Sequence, residues 1–181
     1  MELVDRARRG DDQAFRQLVA RYERQVAATV VGMLGRGPEA DDVGQETFIR
    51  FWRSLDRFRG DSSAGTYLTR IAMNLSLNAL KRRQRMRRWF AHGDLPDRED
   101  PAAGAGISAE SADTARAVGD AIRTLEPPQR AVVVLRLVRG LSTAETSAAL
   151  GIPEGTVMSR LSRAQRQLRR TLAPIIDHDA S

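Results

Sequence analysis

The 181-residue chain has no cysteine, which excludes disulfides and any thiolate metal site. Its two histidines, His92 and His178, lie in polar segments far apart in sequence. A histidine-based metal or catalytic centre is therefore not expected, nor is any cofactor. No apolar run approaches the roughly 20 residues of a membrane span, and the N-terminal stretch MELVDRARRGDD lacks a signal-peptide core. A cytoplasmic protein with no membrane insertion is expected. Glycine-rich phosphate loops and nucleophile–base pairs are also missing, so the chain does not read as an enzyme. Asp41, Asp42 and Glu46 are close in sequence, but no histidine or distant acid joins them in a metal-binding pattern. Lysine is nearly absent: Lys81 stands alone, and arginine carries the rest of the basic charge behind a net +6. Arginine suits bidentate contacts to guanine and phosphate, although a GC-rich genome gives the same bias.

What is present is ordinary for a globular protein, with 41% hydrophobic and 29% charged residues. The length suits one medium domain or two small ones. Helical apolar spacing predicts helices over 14–34, 39–55 and 66–89, separated by Gly35-Arg36-Gly37-Pro38 and by the loop 59–65. In the second of these, Val43, Thr47, Phe51, Phe48, Trp52 and Leu55 form a wide buried face. Asp41, Asp42, Gln45, Glu46 and Ile49 are left on or near the outside. Residues 92–113 are rich in Pro, Gly, Ala and acid and have no apolar period, which predicts a flexible linker. Periodicity resumes near Val118 and continues to Leu172. The expected fold is all-α, with two small helical domains joined by a flexible linker. The boundaries are 1–91 for the first domain, 92–116 for the linker, 117–173 for the second domain and 174–181 for a tail.

The second domain contains the strongest local pattern. Pro127 and Pro128 can open a helix, and Gly140 can close it. Ser142 and Glu145 form a capping box, and Gly151, Ile152 and Pro153 make a tight turn. Val157, Leu161, Ala164 and Leu168 then share one buried face. Thr156, Ser159, Arg160, Ser162 and Arg163 are left on the other sides, where Ser and Arg can bond phosphates and base edges. That is the pattern of a helix-turn-helix with its last helix in a DNA major groove.

The two halves together resemble a known family. EADDVGQETFIRFWRSLDRFRGDSSAGTYLTRIAMN resembles region two of bacterial sigma factors of the extracytoplasmic-function (ECF) group. PPQR…GLSTAETSAALGIPEGTVMSRLSRA resembles their region four, and the match covers most of residues 11–170. The resemblance implies a dissociable specificity subunit of RNA polymerase, with core polymerase and promoter DNA as partners. By this likeness Asp42, Gln45, Glu46 and Ile49 dock on the coiled coil of the beta-prime subunit. Gly60, Asp61, Ser62, Ser63 and Ala64 form the loop that captures a flipped base of the minus-ten element. Asn74, Lys81, Arg82 and Arg85 hold that DNA. Thr156, Met158, Ser159, Arg160, Ser162 and Arg163 meet the minus-35 element, and region four also docks on the beta flap. The short form implies restraint by a separate anti-sigma factor.

Several positions depart from the family pattern. Met158 stands where Lys or Arg is common, and Thr146-Ser147 where Ile-Ala is usual, which places polar groups toward the core. Gly44 interrupts the docking helix, and Ala64-Gly65 and Tyr67 replace frequent aromatics. The competing reading is a stand-alone helix-turn-helix regulator, which explains the second half but leaves the acidic strip of the first without a purpose.

Overall fold

Some helix starts in this chain are set by side chains that satisfy free backbone N–H groups, and others open on proline. The computed structural model describes residues 2–60, 62–89 and 109–179. Among these, every regular element is helical. The first lobe comprises α1 (Glu2–Arg8), α2 (Asp12–Leu34), α3 (Pro38–Ser54), a short 3-10 turn (Leu55–Arg57) and α4 (Ala64–Trp89). The second comprises α5 (Ala109–Thr124), α6 (Pro127–Val133), which widens into a π-type turn over Val134–Val138, α7 (Thr143–Leu150) and α8 (Glu154–Asp179).

Asp11 starts α2 by accepting the Ala14 N–H at 3.0 Å, and Arg6 holds that carboxylate at 2.7 Å. These two contacts, the backbone one first, keep the Asp11 carboxyl below its ordinary pKa. Gly35, at φ +82°, ends the helix by donating to the Val31 carbonyl. Leu18, Val26, Val30 and Met33 of α2 face Leu68, Ala72, Met73 and Ala79 of α4, and α3 lies across both. Phe51 is fully buried at the centre, with ring centroids of Phe15, Phe58 and Tyr67 6.1–6.4 Å away.

Four features differ from the sequence reading. Helix α1 was not anticipated: it buries Val4 and Ala7, and Arg8 donates to the carbonyls of Leu55 and Phe58. Trp52, expected inside, is 37% exposed, because α2 covers it only through an edge contact with Phe15 at 4.6 Å. Helix α5 begins at Ala109, so residues 109–116 of the expected linker are helical; residues 92–108 lie outside the described residues. Alanine propensity and the Asp113–Arg116 pair support this helix start without an apolar period. The backbone of α8 also runs into the expected tail, to Asp179.

The two lobes pack on each other. Val134, fully buried, lies against Gly32 of α2, where even an added Cβ would stand 3.0 Å from both valine methyls. Arg130, only 8% exposed, donates to the Met33 carbonyl across the interface at 2.8 Å. It also donates to the Leu125 and Arg123 carbonyls. Burial first, then Arg123 and Arg83, lower its pKa from the ordinary guanidinium value. Helix α7 packs against α4.

Candidate nucleic-acid and polymerase interface

The outer face of α3 is built by what its inner face buries. Thr47 and Phe51 face the core, with the Thr47 hydroxyl tied to the Val43 carbonyl at 2.7 Å. Asp42, Gln45 and Ile49 are thereby left exposed, with Ile49 at 44%. Glu46 is half-buried and pairs with Arg50 at 2.7 Å. The result is an acidic, amide-bearing surface with an apolar centre extended by Trp52. Gly44 has open space around its missing side chain, so no close approach requires glycine there.

The second surface begins at Gly60, whose φ of +78° turns the chain toward α4. Asp61 lies outside the described residues. Ser62 and Ser63 are exposed, but Ser63 caps α4, accepting the Thr66 N–H at 3.1 Å. Ala64 is buried in the first turn. Of the anticipated capture loop, Gly60 and Ser62 are therefore the described residues left without a capping or core task. Beside them is a concavity of about 380 Å3 whose walls include Leu3, Arg21, Tyr22, Phe58, Ser62 and Ser63. Arg21 lies over the Tyr22 ring at 5.7 Å. Gly65 lets that ring come close, since a Cβ there would be 3.0 Å from it. Sequence reasoning missed Arg21, Tyr22 and α1 as walls; only long-range packing brings them here.

Along α4, Arg70, Asn74, Lys81, Arg82 and Arg85 are exposed. Arg70, Asn74 and Asn78 follow one another at four-residue spacing and form a polar strip opposite the buried face. Arg82, however, pairs with Glu39 of α3 at 2.7 Å, and Arg83 shares the same carboxylate. Exposed pairs of this kind are worth little, so Arg82 remains releasable. Lys81 and Arg85 have no carboxylate partner among the described residues.

The third surface is α8. The capping box forms as read: Ser142 Oγ accepts the Glu145 N–H at 3.1 Å, and the Glu145 carboxylate accepts the Ser142 N–H at 2.7 Å. Gly140 and Gly151 both have positive φ, +69° and +64°, and Gly151 closes α7 in the left-handed region. Val157, Leu161 and Ala164 are buried, and Leu168 is partly so. This turns Met158, Ser159, Ser162 and Arg163 outward, with Thr156 and Arg160 at the margin. Met158, 52% exposed, rests its sulfur 3.7 Å from the Thr143 hydroxyl. Ser159 is exposed while bonding back to the Thr156 carbonyl.

Among the described residues no helix is long and apolar enough to cross a membrane. Both lobes match families of known proteins. Residues 18–86 match the family model of Sigma-70 region 2, and residues 115–168 that of Sigma-70, region 4. RNA polymerase sigma-H factor of Pseudomonas aeruginosa is 36% identical over 97% of this chain and 94% of its own. The ECF RNA polymerase sigma-E factor of Escherichia coli K12 is 35% identical over 96% and 94%. CnrH, solved with the cytosolic domain of CnrY, is 28% identical with a TM-score of 0.67 and 98% and 96% coverage. The sigma factor RpoE of Bartonella quintana, solved with the anti-sigma factor NepR, shares the fold at a TM-score of 0.71 and 22% identity, over 88% and 96% of the two chains. With both regions matched in order and relatives aligned over nearly the whole length, the chain belongs to the ECF group of RNA polymerase sigma factors.

Proposed function

We propose that the three surfaces divide the work of promoter recognition and opening among them. The observation that carries this reading is the coexistence of an exposed acidic-apolar face on α3 with separate polar-basic strips on α4 and α8. A DNA-binding regulator needs only the last. Asp42, Gln45, Glu46 and Ile49 dock on the beta-prime coiled coil of core polymerase: the carboxylates meet a basic partner, and Ile49, next to Trp52, supplies the apolar centre. Ser62 lines the concavity that takes a base flipped from the minus-ten element, and Gly60 turns the chain toward it. Unstacking that base costs a few kcal/mol, which a fitted polar pocket can offset. Asn74, Lys81 and Arg85, with Arg82 once released from Glu39, hold the displaced strand through its backbone.

On α8, Ser159 and Arg163 read base edges of the minus-35 element, Arg160 and Thr156 hold phosphate, and the exposed Met158 offers an apolar contact. Leu137 and Val138, both exposed, give the second lobe an apolar surface for the beta flap. An anti-sigma factor restrains the protein in the cytoplasm, a reading supported by CnrH, a structural neighbour solved with another protein, the cytosolic domain of CnrY.

Run-off transcription with purified core polymerase tests this, comparing wild type with the double variant Asp42→Arg, Glu46→Arg. The expected result is specific transcripts from wild type and none from the variant, with the variant's DNA binding retained. Tight sequence-specific duplex binding with no core association would instead identify a stand-alone regulator.

A further inference from the structure

The outward strip of α8 continues past the residues assigned to the minus-35 element. Ser159, Arg163, Arg166 and Arg170 follow at spacings of four, three and four, and all are exposed, so one face carries them all. Between this face and α6, Arg163, Arg166, Gln167 and Arg170 join Gln129 around an open concavity of about 380 Å3. No carboxylate pairs with any of the three arginines among the described residues. Like charges on successive turns of a helix repel, so an anion in the concavity relieves a standing cost. Gln129 closes the α6 side of the concavity.

We infer that Arg166 and Arg170, with Gln129 as the facing wall, form a phosphate clamp for the DNA backbone beside the minus-35 element. The clamp rests on the reading of α8 as the recognition helix. The dimensions fit. Arg170 stands about 10 Å farther along the helix axis than Arg163, and the major groove is about 12 Å wide. With Arg163 at base edges, the next two turns pass the groove's rim, where the phosphates lie. An acidic protein segment is the weaker candidate, because the clamp is continuous with the base-reading strip and shares Arg163 with it.

The test uses holoenzyme reconstituted from core polymerase and the full chain, either wild type or Arg166→Ala, Arg170→Ala. Binding is measured from about 50 to 200 mM salt, on a promoter duplex and on one with a scrambled minus-35 element; core affinity and thermal melting are followed in parallel. The double variant is expected to lose affinity for both duplexes equally, leaving their ratio unchanged. Its slope of log affinity against log salt should be shallower by about two, at about 0.9 per phosphate contact. Over that salt range it therefore loses roughly twelvefold less affinity than wild type does. Arg163→Ala should instead collapse the ratio between the duplexes. An unchanged salt slope in the double variant overturns the clamp. A collapsed ratio also overturns it and makes these arginines base readers. Unchanged DNA binding with weakened binding of poly-glutamate assigns the concavity to an acidic protein. Absence of any promoter preference in the wild-type holoenzyme overturns the functional reading beneath the clamp, an outcome visible before any variant is compared.

Discussion

Thr146 and Ser147 sit side by side in α7, and both place a hydroxyl where the family usually has an apolar side chain. Their fates differ. The Ser147 hydroxyl donates to the Ile152 carbonyl at 2.6 Å and so helps close the helix-turn-helix turn. Thr146 is fully buried, and its hydroxyl has no hydrogen-bond partner. A buried polar group left unpaired costs about 1–3 kcal/mol, whereas an apolar group of the same shape carries no such cost. Thr146→Val should therefore raise the unfolding free energy by about 1 kcal/mol, and Ser147→Ala should lower it by about as much. Urea titration of the two variants checks both signs. A Thr146→Val protein no more stable than wild type would mean that the hydroxyl finds a partner in solution.

At the scale of elements, the capping box of α7 gives the second lobe an acid sensitivity of known sign. The Glu145 carboxylate is held below its usual pKa first by the Ser142 backbone N–H and then by the Ser142 side chain. A folded pKa below the unfolded one means that the contribution is complete above the unfolded value and is lost as pH falls through the folded value. The Glu145 carboxyl resonance should thus titrate below an ordinary glutamate, and Glu145→Gln should remove this part of the acid destabilisation; an ordinary midpoint would show the box open in solution. This helix was legible in the sequence because Ser142, Glu145 and Gly151 act within their own turns. The exposed strip of α8 was legible for a similar reason, since the spacing of Val157, Leu161 and Ala164 decides which side faces out. Helix α1 was not legible: seven residues carry little periodicity, and Arg8 fixes it through carbonyls some fifty positions away. The pairing of Arg82 with Glu39 and the walls of the concavity beside Ser62 were hidden likewise, because each depends on which helices meet.

For the whole molecule, the packing of the two lobes conflicts with the spacing of the promoter elements proposed for them. The minus-ten and minus-35 elements are about 25 base pairs apart, or about 85 Å along the duplex. In the packed arrangement α4 touches α7 and α7 touches α8, and helix axes in contact lie about 8–10 Å apart. On the roles proposed for them, the strips of α4 and α8 are then too close to reach both elements at once, and promoter engagement by both requires the lobes to part. Trp89 and Ala109 are 20 positions apart in the sequence, a covalent length of at most about 65 Å, to which the lobes add their own lengths. What has to be undone includes the Arg130 bond to the Met33 carbonyl, the seat of Val134 on Gly32 and the packing of α7 on α4. Because a Cβ alone at Gly32 would meet both Val134 methyls at 3.0 Å, Gly32→Leu should force the interface apart while raising the helix propensity of α2. The expected outcome is a larger radius of gyration in X-ray scattering, undiminished helical circular dichroism, and promoter-dependent transcription at least as strong as wild type. A variant that scatters as compactly as wild type but melts lower would show the core deforming to keep the lobes together, and an interface too strong to open by this route.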